Sequence, residues 1–237
     1  MLASSPNAVG RGRQGELASF RLPLSAFRLL DCGLRIAIPV PDRIYLGPML
    51  CHFCHRATPG ILCVRCRREV RPGPELLLGS GVRLISAFEH TGPARKLVHD
   101  LKYRGITRYA DLVARVVASR VPPVPLVPIP RVLSRRAKYG VDPGYEIAVR
   151  VGSIVGQPVL DLLSAPLHAS RRAGGDHSRQ VAGLAVKHEV PRQIVLVDDV
   201  VTTGATLVAA ASLVGENRVS VALVANAPPQ VSSLSRR

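Results

Sequence analysis

The stretch IVLVDDVVTTGAT, residues 194 to 206, limits the fold more than any other part of this chain. Ile194, Val195, Leu196 and Val197 are consecutive apolar residues, so a strand built from them is apolar on both faces. Such a strand belongs inside a parallel sheet covered by helices on both sides, because an antiparallel sheet with one wet face alternates instead. Asp198 and Asp199 follow at once and are expected where the strand leaves the sheet, at the carboxyl edge on which ligands collect in sheets of this kind. Thr202, Thr203, Gly204, Ala205 and Thr206 then lead into an alanine-rich helical segment. Its amino-terminal N–H groups and the hydroxyls converge on a positive helix end and make a phosphate cradle. Two carboxylate acceptors beside an anion site suit a sugar with vicinal hydroxyls and a phosphate, such as a ribose 5-phosphate.

The surrounding pattern agrees with a parallel sheet. Residues 82 to 88 read as a strand, 92 to 105 and 107 to 120 as amphipathic helices, and 125 to 130 as a strand interrupted by proline. Residues 144 to 156 read as a helix, 158 to 163 as a strand, 202 to 215 as a helix, and 218 to 225 as the closing strand. Strands alternating with helices predict an α/β fold, a parallel sheet flanked by helices. Between them Ser164 to Gly183 is polar and arginine-rich and is expected to be a loop.

A second constellation lies upstream. CHFCHRATPGILCVRC places Cys51 and Cys54 in one C-x-x-C pair and Cys63 and Cys66 in another. Pro59 and Gly60 turn the chain so that the pairs face each other. Four thiolates in tetrahedral array suit Zn²⁺, and four protein ligands leave no open position, so the metal is expected to be structural. Disulfides are disfavoured in the reducing cytoplasm to which the chain is assigned. His52 and His55 are expected to be bystanders, and Cys32 a packed core residue.

The expected organisation is a disordered tail over 1–22, an amphipathic helix plus the zinc knuckle over 23–70, a linker over 71–81, the α/β domain over 82–226 and a tail over 227–237. Leu24, Phe27, Leu30, Leu34 and Ile38 carry the spacing of that helix. The linker expectation rests on the prolines and glycines of RPGPELLLGSG. No secretory signal is evident and no apolar run approaches the roughly 20 residues of a membrane span, so a cytoplasmic location without membrane insertion is expected. The formal net charge is +16, but only four of the 32 basic residues are lysine. Such arginine excess is produced by a phosphate-binding surface and equally by codon bias, and charge alone does not decide between them. Aromatic residues make up only 4%, few for a chain that stacks single-stranded bases.

Alternatives to the sugar-phosphate reading meet obstacles. A strand ending in aspartates occurs in P-loop nucleotidases, but no G-x-x-x-x-G-K-[ST] run exists here. A receiver-type phosphoacceptor would carry its acidic pair early in the domain.

IVLVDDVVTTGAT resembles the phosphoribosyl-diphosphate signature of type I phosphoribosyltransferases. Together with the four-cysteine knuckle, LKYRG (101–105) and VPIPRVLSRR (127–136), the chain over residues 45 to 226 resembles the ComF family of competence-associated proteins. The resemblance implies that Asp198 and Asp199 hold the ribose hydroxyls, that Thr202, Thr203, Gly204, Ala205 and Thr206 bind the 5-phosphate, and that Mg²⁺ accompanies the diphosphate. It implies that Arg131 is the cation nearest the diphosphate and that Arg171, Arg172 or Arg179 sit on a closing loop. It also implies either phosphoribosyl transfer to an unidentified acceptor or a noncatalytic accessory role, with single-stranded DNA and a competence helicase as partners. The chain departs from the family pattern at RRAKYGVDPGYEIA (135–148), and Arg179 is followed by Ala182 where the family tends to asparagine.

Overall fold

The computed structural model describes residues 49–167 and 183–229. The expected tails' outer parts, the helix over 24–38, Cys32, Arg171, Arg172 and Arg179 lie outside the described residues. In chain order the elements are β1 (Met49–Leu50), β2 (Ala57–Thr58), α1 (Val64–Arg68), β3 (Glu75–Leu77), β4 (Arg83–Glu89), α2 (Gly92–Arg104), α3 (Arg108–Val117), β5 (Leu126–Pro128) and α4 (Leu133–Tyr139). They continue with α5 (Pro143–Val155), β6 (Leu163–Ser164), β7 (Ala185–Val186), β8 (Ile194–Val200), α6 (Ala205–Val214) and β9 (Val219–Ala227).

Five strands form the main sheet in the order β3-β4-β9-β8-β5. β4, β9, β8 and β5 run parallel, and β3 is an antiparallel edge. The α/β class expected from the alternation is what forms. β8 sits between β9 and β5, and its alternate residues separate as strand geometry demands. Val195 and Val197 pack on the face covered by α2, α3 and α5, while Ile194 and Leu196 pack on the face covered by α6. All four are fully buried, so apolar residues at consecutive positions serve two different cores.

Two stretches differ from expectation. Residues 71–81, expected as a linker, contain β3, and the Gly73 N–H donates to the Ala87 carbonyl while Glu89 donates to Arg71. Prolines are tolerated there because an edge strand has one unpaired side. Residues 158–163, expected as a sheet strand, contribute a single parallel bridge from Val159 to Leu126. The chain then leaves the sheet, and β6 pairs antiparallel with β7 instead. Pro128 lacks the N–H that would extend pairing along β5. Among the described residues no helix is long and apolar enough to cross a membrane.

The amino terminus of α5 lies close to the sheet because residue 144 is glycine. A Cβ there would stand 3.1 Å from the Ile129 carbonyl oxygen and 3.2 Å from that of Val197, both backbone atoms of the sheet region. Gly144→Ala is therefore expected to lower stability by about 1–3 kcal/mol in denaturant unfolding, the usual cost of overpacking. An unchanged midpoint would show that the helix can retreat freely.

Candidate functional site

Asp198 and Asp199 belong to the strand itself. β8 continues through Val200, with Asp198 opposite Val224 and Val200 opposite Asn226 of β9. The carboxylates were expected where the strand leaves the sheet, and because pairing runs on to Val200 they are less solvated than that position suggested. Asp199 is buried, on the same face as Val195 and Val197, where α2 supplies Lys102. The Lys102 Nζ lies 2.8 Å from Asp199 Oδ1. Asp198 Oδ1 accepts from the Asp199 backbone N–H at 2.7 Å.

These surroundings raise the pKa of both Asp198 and Lys102. Burial, and then the negative charge of Asp199, push the Asp198 carboxyl from 3.8 up to about 7, against the pull of Lys102 and the Asp199 amide. For Lys102 burial is the largest single influence and disfavours the ammonium, but Asp199, by charge and hydrogen bond, and Asp198 outweigh it and hold the amine above its ordinary value.

The pair opens on a cavity of about 560 Å³ at the carboxyl end of β5 and β8. One wall is the turn after β5, in which Ile129 donates to the Val197 carbonyl at 2.8 Å. Asp142 secures that turn from below: its Oδ2 accepts from the Arg131 backbone N–H at 3.0 Å, and its Oδ1 faces the Tyr145 N–H at the start of α5. Burial raises the Asp142 carboxyl although both amides oppose it. Arg131 lines the cavity, yet its guanidinium is already engaged: Nη1 donates to the Lys102 carbonyl at 2.6 Å and to the Val141 carbonyl at 3.3 Å. Its charge also lies over the Tyr139 and Tyr103 rings, 4.7 and 5.5 Å from their centroids. Arg135, exposed on α4, lines the same cavity.

The opposite wall is the turn into α6. Thr202 and Thr206 line the cavity. Gly204 takes a positive φ of 77°, which a side chain would strain, and caps α6. The Ala205 N–H lies 3.4 Å from Thr203 Oγ1, so that hydroxyl supports the turn. Asp198, Asp199, Arg131, Thr202 and Thr206 thus meet at one cavity, whereas Thr203, Gly204 and Ala205 shape the turn behind it. Lys102, Asp142, Tyr103 and Arg135 were not singled out as site residues from sequence. Lys102 sits in the LKYRG run, and only its position on α2 relative to β8 identifies its partner.

The four cysteines form a separate cluster. β1 and β2 pair antiparallel, Cys51 donates its N–H to Arg56, and Cys63 caps α1, bringing Cys66 round to the same point. The four Sγ atoms all lie within 4.8 Å of one another, and Cys54 and Cys63 are 3.6 Å apart. A tetrahedral ZnS₄ centre with bonds of about 2.3 Å separates its sulfurs by about 3.8 Å, so the cluster fits a metal such as zinc. Burial would push the Cys51 thiol up, but the backbone amides of Cys54, Cys63 and Phe53 bring it down to about 6. Burial and the neighbouring thiols push Cys66 up. Cys51, Leu62 and Cys66 share the apolar cluster that includes Ala94, Leu97 and Leu101 of α2. Comparison with protein-family models and with curated proteins finds no match for this chain.

Two outcomes are expected. Cys66→Ser, or a chelator strong enough to strip the cluster, should release one equivalent of metal and lower the melting temperature of the whole unit. Metal loss without a thermal shift would contradict the shared core. Asp198 has a folded pKa above its unfolded value, so the stability it contributes is fully present below about pH 4 and lost as pH rises through about 7. Asp198→Asn should therefore melt higher than wild type at pH 8, by about 2–4 °C for each kcal/mol recovered, and not at pH 4.

Proposed function

We propose that the chain is a ComF-like protein of type I phosphoribosyltransferase architecture that binds phosphoribosyl diphosphate and transfers its phosphoribosyl group. The observation that carries this reading is the Asp198–Asp199 pair at the end of a central parallel strand, facing a cavity whose other wall is the Thr202–Thr206 turn and the start of α6. In the bound complex Asp198 and Asp199 accept hydrogen bonds from the ribose hydroxyls. The 5-phosphate takes N–H groups of the α6 first turn and the hydroxyls of Thr202 and Thr206, at the end of the helix that favours anions.

Mg²⁺, bound with the diphosphate, would supply charge neutralisation of the leaving group. The oxygen donors of the cavity suit such a hard cation, and the resistance of Asp198 to ionisation beside Asp199 means that added positive charge is favourable there. Arg131 acts chiefly as a post: it ties the turn after β5 to α2 and keeps the cavity open. Arg135 is the better placed side chain for the diphosphate, because it is exposed and lines the cavity. As the bond to the leaving group breaks, cations fixed beforehand stabilise the developing charge at no further cost of reorganisation. The cysteine cluster lies outside this cavity's lining and serves the fold.

Purified protein with Mg²⁺ and phosphoribosyl diphosphate, assayed for diphosphate release against a panel of nitrogenous acceptors, tests the proposal. Acceptor-dependent release that drops at least a hundredfold in Asp198→Asn, Asp199→Asn is expected. Binding without turnover by any acceptor would favour the accessory role in handling single-stranded DNA, and absence of binding would reject both.

A further inference from the structure

A second cavity, of about 450 Å³, adjoins the first and meets it at Lys102, Tyr103, Val200 and Thr202. The two differ in chemistry. The first is lined by three carboxylates, Asp142, Asp198 and Asp199, whereas the second has none in its lining and is walled by His90, Arg95, Lys96, His99, Lys102 and Tyr103.

Arg95, His99 and Tyr103 follow one another at four-residue spacing on α2, so they share one helix face, and all three are exposed. The His99 and Tyr103 ring centroids are 4.5 Å apart, which presents two aromatic surfaces to the groove. Lys96 is fixed by buried Asp100 at 2.9 Å and Lys102 by Asp199, while Arg95 makes no ion pair among the described residues. His90 closes the groove and is backed by fully buried groups. The Tyr109 hydroxyl donates to Asn226 Oδ1, and Asn226 Nδ2 lies 3.4 Å from His90 Nδ1. An amide so oriented donates to Nδ1, which leaves the ring proton of the neutral imidazole on Nε2. Burial, then Arg95 and Lys102, lower the pKa of His90, so neutrality is its ordinary state. The groove therefore offers ring surfaces, cations and hydrogen-bond donors.

We infer that this groove is the acceptor subsite and that the acceptor is a planar heteroaromatic ring carrying an anionic group, either a carboxylate or a phosphate. The inference rests on the phosphoribosyl site proposed above. The ring packs between His99 and Tyr103, face-on to one and edge-on to the other, and Arg95 takes the anionic group. A ring nitrogen then directs its lone pair to C1 of the ribose. The N–C1 bond forms as the C1–O bond breaks, the electron pair of that bond leaves on the diphosphate, and any proton on the nitrogen passes to water.

Calorimetric titration of the full chain with orotate, pyridoxine 5′-phosphate, which carries a phosphate but no ribose, and uracil, all without phosphoribosyl diphosphate, tests this. At least one anionic probe should bind ten times more tightly than uracil. Its affinity should fall about tenfold in Arg95→Ala and recover partly in Arg95→Lys. The probe that binds tells carboxylate from phosphate. Uracil binding as tightly as both anionic probes, failure of both to bind, or indifference to Arg95→Ala would overturn the inference. Phosphoribosyl diphosphate binding, measured separately, should be unchanged in Arg95→Ala. A chain that binds an anionic ring but no phosphoribosyl diphosphate rejects the proposed function and the acceptor role with it. The converse rejects only the acceptor class.

Discussion

Two adjacent carboxylates share the end of a buried strand with one ammonium to balance them, and the geometry around the cavity follows from that imbalance. Lys102 reaches Asp199 because both stand on the face of the sheet covered by α2. Asp198 is bonded to its neighbour's amide and is left with the proton that burial and Asp199 make hard to lose. Paired like charges in poor solvent are expensive unless a cation or hydrogen-bonding ligand completes them, which is why such pairs mark sites of chemistry. Asp142 and Arg131 then fix the opposite wall through backbone contacts. The cavity is thus held open by polar groups that are themselves satisfied, and the unsatisfied demand is concentrated on the carboxylate pair.

The cysteine cluster contributes at a distance. Its ligands sit in the turn between two short strands and at the start of a five-residue helix, pieces with too little apolar surface to fold alone. Their partner is the apolar cluster that also seats α2, the helix that carries Lys102. A metal held by the cluster would therefore stabilise the face from which the site's ammonium is presented, although none of the four cysteines lines the cavity.

Much of this was legible in sequence because it is local. The double-faced strand shows in four consecutive apolar residues, the carboxyl ends of α2 and α5 in Gly105 and Gly156, and the cluster in two C-x-x-C pairs. What was hidden is long-range. The pairing of Lys102 with Asp199 joins residues 97 positions apart, and no periodicity announces it. Arg131 was expected to be the cation nearest a diphosphate; the cage of Tyr103, Tyr139 and two carbonyls around it forms only when α2 and α4 converge and shows in no local pattern. β3 was hidden by its own composition, because prolines and glycines look the same in a linker and on a sheet edge.

The carbon-13 chemical shift of the Asp198 side-chain carboxyl, followed by NMR from pH 3 to 9 in the metal-loaded, ligand-free protein and assigned with Asp198→Asn, measures the constraint itself. A midpoint near 7, well above the ordinary aspartate value of about 3.9, is expected. A midpoint near 4 would mean that Asp198 ionises freely beside Asp199, and the strand end would then hold no charge demand for a ligand to meet.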